Sequence, residues 1–202
     1  MMGHQQDYMS RHYPESRFGG FTDIDGTIAF YTRIHALLAP SALVLDVGCG
    51  RGAYGEDPVG VRRALRIFKG KCRRVIGIDV DPRAAENPFL DAFHAMNGSH
   101  WPVEDASVDL LVCDSVLEHV EQPEPFFQEC RRTLKPGGYL CIRTSNALSY
   151  ISLLARLIPN RFHAAVLDRA LATRRKTEDI FPTVYRCNTR GRLRPLRVWL
   201  RG

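Results

Sequence analysis

Four short apolar runs punctuate the chain: ALVLDV (42–47), RVIGIDV (74–80), SVDLLVCDS (107–115) and GGYLCIRTS (137–145). They run nearly unbroken instead of alternating, which is how a strand covered on both faces of a parallel sheet reads. A weaker strand is expected over 92–96. Helical patterns fill the gaps. Thr27 can cap a helix to about Ala39, with Ile28, Tyr31, Ile34 and Leu38 on one stripe and Pro40 beyond its end. Further helices are expected over 58–69, from Pro82 onward, over 123–134, and over 149–158 before Pro159-Asn160. Strand and helix in alternation predict an open, doubly wound, mainly parallel α/β sheet. Its ligand crevice should lie at the carboxyl ends of the strands.

The first run ends in LDVGCGRGA (45–53), where glycines at 48, 50 and 52 let the chain turn sharply and a ligand approach the backbone. Gly48-x-Gly50-x-x-Ala53 also satisfies a relaxed dinucleotide fingerprint. Asp46 precedes the first glycine by two residues. Asp79 stands at the end of the second strand, where a carboxylate can accept both hydroxyls of a ribose. That acid supports an adenosine ligand without choosing between nucleotide-binding families.

The order of the downstream motifs does choose. GID (77–79), P-x-x-x-x-S-x-D (102–109), LEHV (117–120) and LKPGG (134–138) follow the glycine turn in sequence. From about residue 42 to 145, roughly half of it, the chain resembles a class I S-adenosylmethionine-dependent methyltransferase. The resemblance implies a Rossmann-like fold and S-adenosyl-L-methionine as cofactor. Asp46, Gly48, Cys49 and Gly50 would face its methionine end, Asp79 its ribose, and Val80 its adenine. Asn97 and Gly98 stand where the family often has an Asp for the adenine edge. Asp114 and Ser115 would line the floor near the methyl group. Some related O-methyltransferases bind a divalent metal through the Glu-His pair matched by Glu118-His119. Ser115 replaces the further acid, so no metal is expected. LKPGG is structural: a helix end and tight turn before the fifth strand.

FTDIDGTIAFY (21–31) resembles the nucleophile loop of haloacid-dehalogenase-type phosphatases, D-x-D-G-T. SRFGGFT stands before Asp23, and it is no apolar strand. Asp25-Gly26-Thr27 is therefore expected to make a turn and helix cap. Tyr31 and Arg33 become candidates to meet the cofactor carboxylate or shape the acceptor pocket. His119 and His163 are the candidate general bases, with Asn146 and Tyr150 as positioning groups.

The expected function is in-line methyl transfer to a small-molecule acceptor, O-methylation foremost; the alternative is a non-catalytic cofactor-binding remnant or regulatory protein. The chain has 202 residues, 45% of them apolar and 25% charged, as in one soluble domain. Residues 1–26 are expected as a mobile segment, 27–158 as the cofactor domain, and 159–202 as an acceptor region. The family normally adds two strands after the fifth. Here only FPTVYR (181–186) suggests one, so the C-terminal strand pair is expected to be incomplete. The fifth strand would then be an open edge that a homodimer could cover. The net charge of +6 comes largely from scattered arginines without interleaved aromatics. That pattern favours an anionic acceptor over nucleic acid. Six cysteines lack a C-x-x-C pair, no apolar run is long enough to span a membrane, and the N-terminus lacks a secretory apolar core. A cytoplasmic location is expected.

Overall fold

A computed structural model of the chain describes residues 13–145, 183–189 and 191–192. The helix expected over 149–158, Asn146, Tyr150 and His163 lie outside the described residues.

All five expected strands form. They are β1 (Leu43–Val47), β2 (Arg74–Asp79), β3 (Ala92–Ala95), β4 (Val108–Asp114) and β5 (Leu134–Arg143). Every pairing is parallel and the order is β3-β2-β1-β4-β5. The chain winds outward from β1 in both directions, so the topological switch point lies between β1 and β4. An open α/β sheet of this kind places its ligand crevice outside the carboxyl ends of the strands at that point. Among the described residues no helix is long and apolar enough to cross a membrane.

Among the described residues three α-helices flank the sheet: α1 (Gly26–Leu37), α2 (Gly60–Arg66) and α3 (Pro123–Thr133). The cap of α1 is Asp25, whose side chain accepts from the N–H groups of Thr27 and Ile28 at 2.9 and 3.0 Å. The Thr27 hydroxyl, expected to be the cap, instead accepts from Arg143 Nη1 at 2.7 Å. D-I-D-G-T is thus a helix start. α2 is shorter than expected because extended backbone at Ile67 ends the helix and Phe68 enters the core. Pro82 opens only a 3₁₀ turn, Pro82–Glu86, capped by Asp81.

At LKPGG the strand begins earlier than expected. Leu134 pairs with Val108, but the next paired residue, opposite Leu110, is Tyr139. Residues 135–138 therefore leave the ladder as a tight excursion, with Gly137 at φ +80°.

Side chains on successive strand residues face opposite sides of a sheet. Leu45, Val47, Ile76, Ile78, Leu111 and Cys113 join one apolar cluster with Phe127 and Cys130 of α3. Val44, Val75, Leu110 and Val112 join the other, with Tyr31 and Ile34 of α1. Continuing this alternation to the strand ends decides which way the acids point.

Candidate functional site

Asp46 follows Val44 by two residues, Asp79 follows Val75 by four, and Asp114 follows Val112 by two. All three carboxylates therefore share the α1 face of the sheet at the carboxyl ends of its three central strands. The register sets Asp46 opposite Gly77 on one side and Val112 on the other. Asp79 and Asp114 are then its diagonal neighbours, two residues nearer the crevice.

The glycine turn is fixed by backbone donors. Gly48 and Cys49 N–H groups reach the Ile78 carbonyl at 2.8 and 3.3 Å, and Gly50 N–H reaches Asp79 Oδ2 at 2.9 Å. Gly48 sits at φ +68°, where a Cβ would stand 2.3 Å from Val116 Cγ2. Gly50 sits at φ +55°, yet a Cβ there would meet nothing within 4 Å, so this glycine borders open space. Asn87 Nδ2 donates to the carbonyls of Cys49 and Gly50 at 3.2 and 3.1 Å. The carbonyls of Cys49 and Gly50 are thereby held.

Asp79 is buried and takes one backbone donor on each oxygen, Gly50 N–H on Oδ2 and Asp81 N–H on Oδ1 at 2.9 Å. A carboxylate has about four acceptor sites, so lone pairs remain for a ligand. Val80 beside it is 61% exposed, a large apolar side chain left open to solvent. Met96 N–H donates to the Asp79 carbonyl at 2.8 Å, which brings the exposed Asn97-Gly98 turn to the same end of the sheet.

Asp114 is the hub of the opposite side. Arg143, at the end of β5, grips it with Nε on Oδ1 and Nη2 on Oδ2, both 2.7 Å. Tyr31 OH donates to Oδ2 at 2.9 Å. Burial first, then the charge of Asp114, raises the Tyr31 hydroxyl well above its ordinary range, so it stays a neutral donor. Asp46 is pushed up to about 7, chiefly by burial and then by the charge of Asp114, while Arg66 works in the opposite direction. Burial likewise raises the Cys49 thiol, which excludes a thiolate there at neutral pH.

Ser115, just after β4, lies in the left-handed region at φ +61°, costly for a non-glycine residue. Its Oγ donates to Asp114 Oδ1 at 3.2 Å. The chain then makes a 3₁₀ turn, Leu117–His119. Glu118 is buried, accepting from Thr144 Oγ1 at 2.6 Å and Ser145 Oγ at 3.5 Å. His119 is half-buried on the same turn. The segment 183–189 docks here: Val184 and Tyr185 N–H groups reach the Glu118 carbonyl, and Asn188 Nδ2 reaches Thr144 Oγ1.

The fold thus gathers Asp46, Gly48, Cys49, Gly50, Asp79, Val80, Asn97, Gly98, Asp114 and Ser115 at one end of the sheet. It does not bring Arg33 to the acids. That side chain is exposed and its Nη1 donates to Ala29 O of its own helix at 3.0 Å. Residues two apart on a helix are about 200° apart, so with Tyr31 facing the sheet Arg33 faces away. The cations beside Asp114 are Arg66 and Arg143, which sequence reading missed along with Tyr54 and Asn87. Of these only Arg143 carried a signal, since it ends a strand as Asp79 and Asp114 do.

Residues 45–142 match a family model described as a methyltransferase domain. By that match the span resembles a class I methyltransferase domain. The chain is 36% identical over 136 residues to a probable S-adenosylmethionine-dependent methyltransferase of Mycolicibacterium smegmatis, covering 64% of this chain and 48% of the relative. A ubiquinone biosynthesis O-methyltransferase of Paraburkholderia phytofirmans is 26% identical over 159 residues, 74% of this chain and 67% of that protein. A solved S-adenosylmethionine-dependent methyltransferase structure from Methanosarcina mazei aligns with TM-score 0.45 and 27% identity, covering 62% of this chain and 63% of that one. The chain spans about half the length of the first curated relatives it matches.

Proposed function

We propose that this chain binds S-adenosylmethionine and catalyses in-line methyl transfer to a hydroxyl of a small-molecule acceptor. The observation that carries this reading is the group of three carboxylates, Asp46, Asp79 and Asp114, on one face at the switch point. Such a floor suits a cationic sulfonium and ammonium. It repels the pyrophosphate of a dinucleotide, which also requires an α-helix N-terminus directly behind the glycine turn. Here only the 3₁₀ turn Ala53–Glu56 follows the glycines, and α2 starts at Gly60.

When bound, the cofactor supplies an activated methyl group, so the protein mainly orients the reactants and excludes water. The residues present fit it. Asp79 has lone pairs left for the ribose hydroxyls, and Gly50 leaves open the space a side chain would fill. Val80, Asn97 and Gly98 frame an adenine, while Gly48, Cys49, Asp46, Asp114 and Ser115 face the amino-acid end. His119 is the candidate base for the acceptor hydroxyl. The likeness to ubiquinone biosynthesis O-methyltransferases supports oxygen as the acceptor atom, and the +6 net charge supports an anionic acceptor. All six cysteines are free, which supports a reducing cytoplasm. β5 ends the sheet among the described residues and supports pairing with a second copy along that edge, to be checked by light scattering.

The test is calorimetric titration with S-adenosylmethionine, followed by transfer of labelled methyl to a panel of hydroxyl compounds. Binding with turnover is expected, and His119→Ala should lower kcat at least tenfold while leaving cofactor Kd unchanged. Binding without turnover on any acceptor favours the non-catalytic alternative. Nicotinamide dinucleotide binding with no S-adenosylmethionine binding overturns the reading.

A further inference from the structure

The arginines around the crevice are committed, with one exception. Arg143 uses Nε and Nη2 on Asp114 and Nη1 on the Thr27 hydroxyl. Arg62 uses Nε and Nη2 on Asp57 and Nη1 on Asp25. Arg63 Nη1 donates to the Asp57 carbonyl at 2.9 Å. Arg66, the last residue of α2, differs. Its Nε is buried and has no hydrogen-bond partner among the described residues. Its Nη2 comes only to 3.8 Å from Asp114 Oδ2, outside hydrogen-bond range. Asp114 is already satisfied by the Arg143 fork and Tyr31.

Arg66 is nevertheless held in place. Its guanidinium carbon lies 4.8 Å from the ring centroid of Tyr54 and 5.7 Å from that of Tyr31. Tyr54 belongs to the 3₁₀ turn behind the glycines and Tyr31 to α1. The guanidinium therefore sits between the glycine turn and α1, beside the switch point. A planar fork with an unsatisfied donor at such a place calls for a planar anion. Asp46 and Asp114 nearby disfavour a multiply charged one. They favour a monoanion that carries its own cation, as an α-amino acid head group does.

The geometry points to Arg66 as the anchor for the cofactor's carboxylate, with Asp46 and Asp114 facing the adjacent ammonium. This rests on the S-adenosylmethionine reading above. It assigns to α2 the role that the sequence suggested for Arg33 of α1.

The test measures dissociation constants of the 202-residue chain for S-adenosylhomocysteine and for its decarboxylated analogue, which keeps nucleoside and amine. The wild type should prefer the carboxylated ligand at least tenfold, the loss expected for one charge-assisted fork. In Arg66→Met the preference should shrink to within about twofold, and Arg66→Lys, a point charge without the fork, should fall between. Both ligands carry the amine, so any change in Asp46 affects both, and the ratio isolates the carboxylate. A wild-type ratio retained in Arg66→Met, or in Arg66→Lys if the methionine variant does not fold, overturns the assignment. Failure of the wild type to bind either ligand defeats the S-adenosylmethionine reading itself, a result distinct from a retained ratio.

Discussion

The backbone N–H of Gly50 donates to Asp79 Oδ2 at 2.9 Å, tying the glycine turn after β1 to the acid that ends β2. One carboxylate thus shapes the loop and, in the proposed function, holds the ribose. Asp79→Ala should weaken S-adenosylmethionine binding at least tenfold, since one or two charge-assisted hydrogen bonds are lost at about 1.5–3 kcal/mol each. It should also lower stability by about 1–3 kcal/mol, because Gly50 N–H loses its partner. Calorimetric titration and denaturant unfolding check the two effects separately.

Gly48 and Gly50 both have positive φ but face different surroundings, and that predicts opposite outcomes. A Cβ at Gly48 would stand 2.3 Å from Val116 Cγ2. Gly48→Ala should therefore displace the turn after β4 and cost about 2–4 kcal/mol, combining strain with a clash. Gly50→Ala should cost only about 1 kcal/mol, from left-handed backbone alone. It should still abolish measurable cofactor binding, because its methyl group enters the open space. Thermal unfolding beside titration would separate them; equal loss of stability in both would contradict the geometry.

Asp46 makes the stability of the folded chain pH-sensitive. Burial and Asp114 raise it to about 7, so between about pH 4 and 7 the folded chain holds a proton that the unfolded chain has released. Stability should then fall as pH rises through that window, by at most about 1.4 kcal/mol per pH unit. Asp46→Asn should flatten the slope in urea titrations run across it. A bound cation favours the charged carboxylate, so S-adenosylmethionine affinity should rise with pH through about 7. Calorimetry in buffers of different ionisation enthalpy should register a released proton, and the asparagine variant should not.

Thr144 Oγ1 links Glu118 to Asn188, donating to Glu118 Oε2 at 2.6 Å and accepting from Asn188 Nδ2 at 2.5 Å. Thr144→Val leaves a buried carboxylate oxygen and a buried amide without these partners. A loss of about 2 kcal/mol is expected. Hydrogen exchange should rise at Val184 N–H, which reaches the Glu118 carbonyl. Unchanged exchange there would show that the backbone bonds alone hold the segment.

The strands and the three acids were legible because their signals are local. A parallel strand between two helical layers must be apolar on both faces, so it reads as an unbroken run, and the acid next to the last residue of each of the first three runs stands at the crevice. The glycine turn was legible for a similar reason, since only glycine adopts positive φ cheaply. The cap of α1 is less legible, because Asp25 and Thr27, two residues apart, are both good cap residues. The choice fell to Arg143, which draws the Thr27 hydroxyl away toward β5.

Sequence by itself therefore determined the sheet, its order of motifs and the acids at its rim, because periodicity and turn chemistry act over a few residues. Tertiary structure alone decided how those acids are answered. Arg143 reaches Asp114 across 29 residues, and Tyr31 reaches it across 83. Arg66 lies over Tyr54 from the end of a helix whose other arginines are used elsewhere. A helical arginine reads the same in sequence whether it points to water or to a ligand. Only packing α2 against α1, over the α1 face of the sheet, sends Arg66 into the crevice and leaves Arg33 outside it.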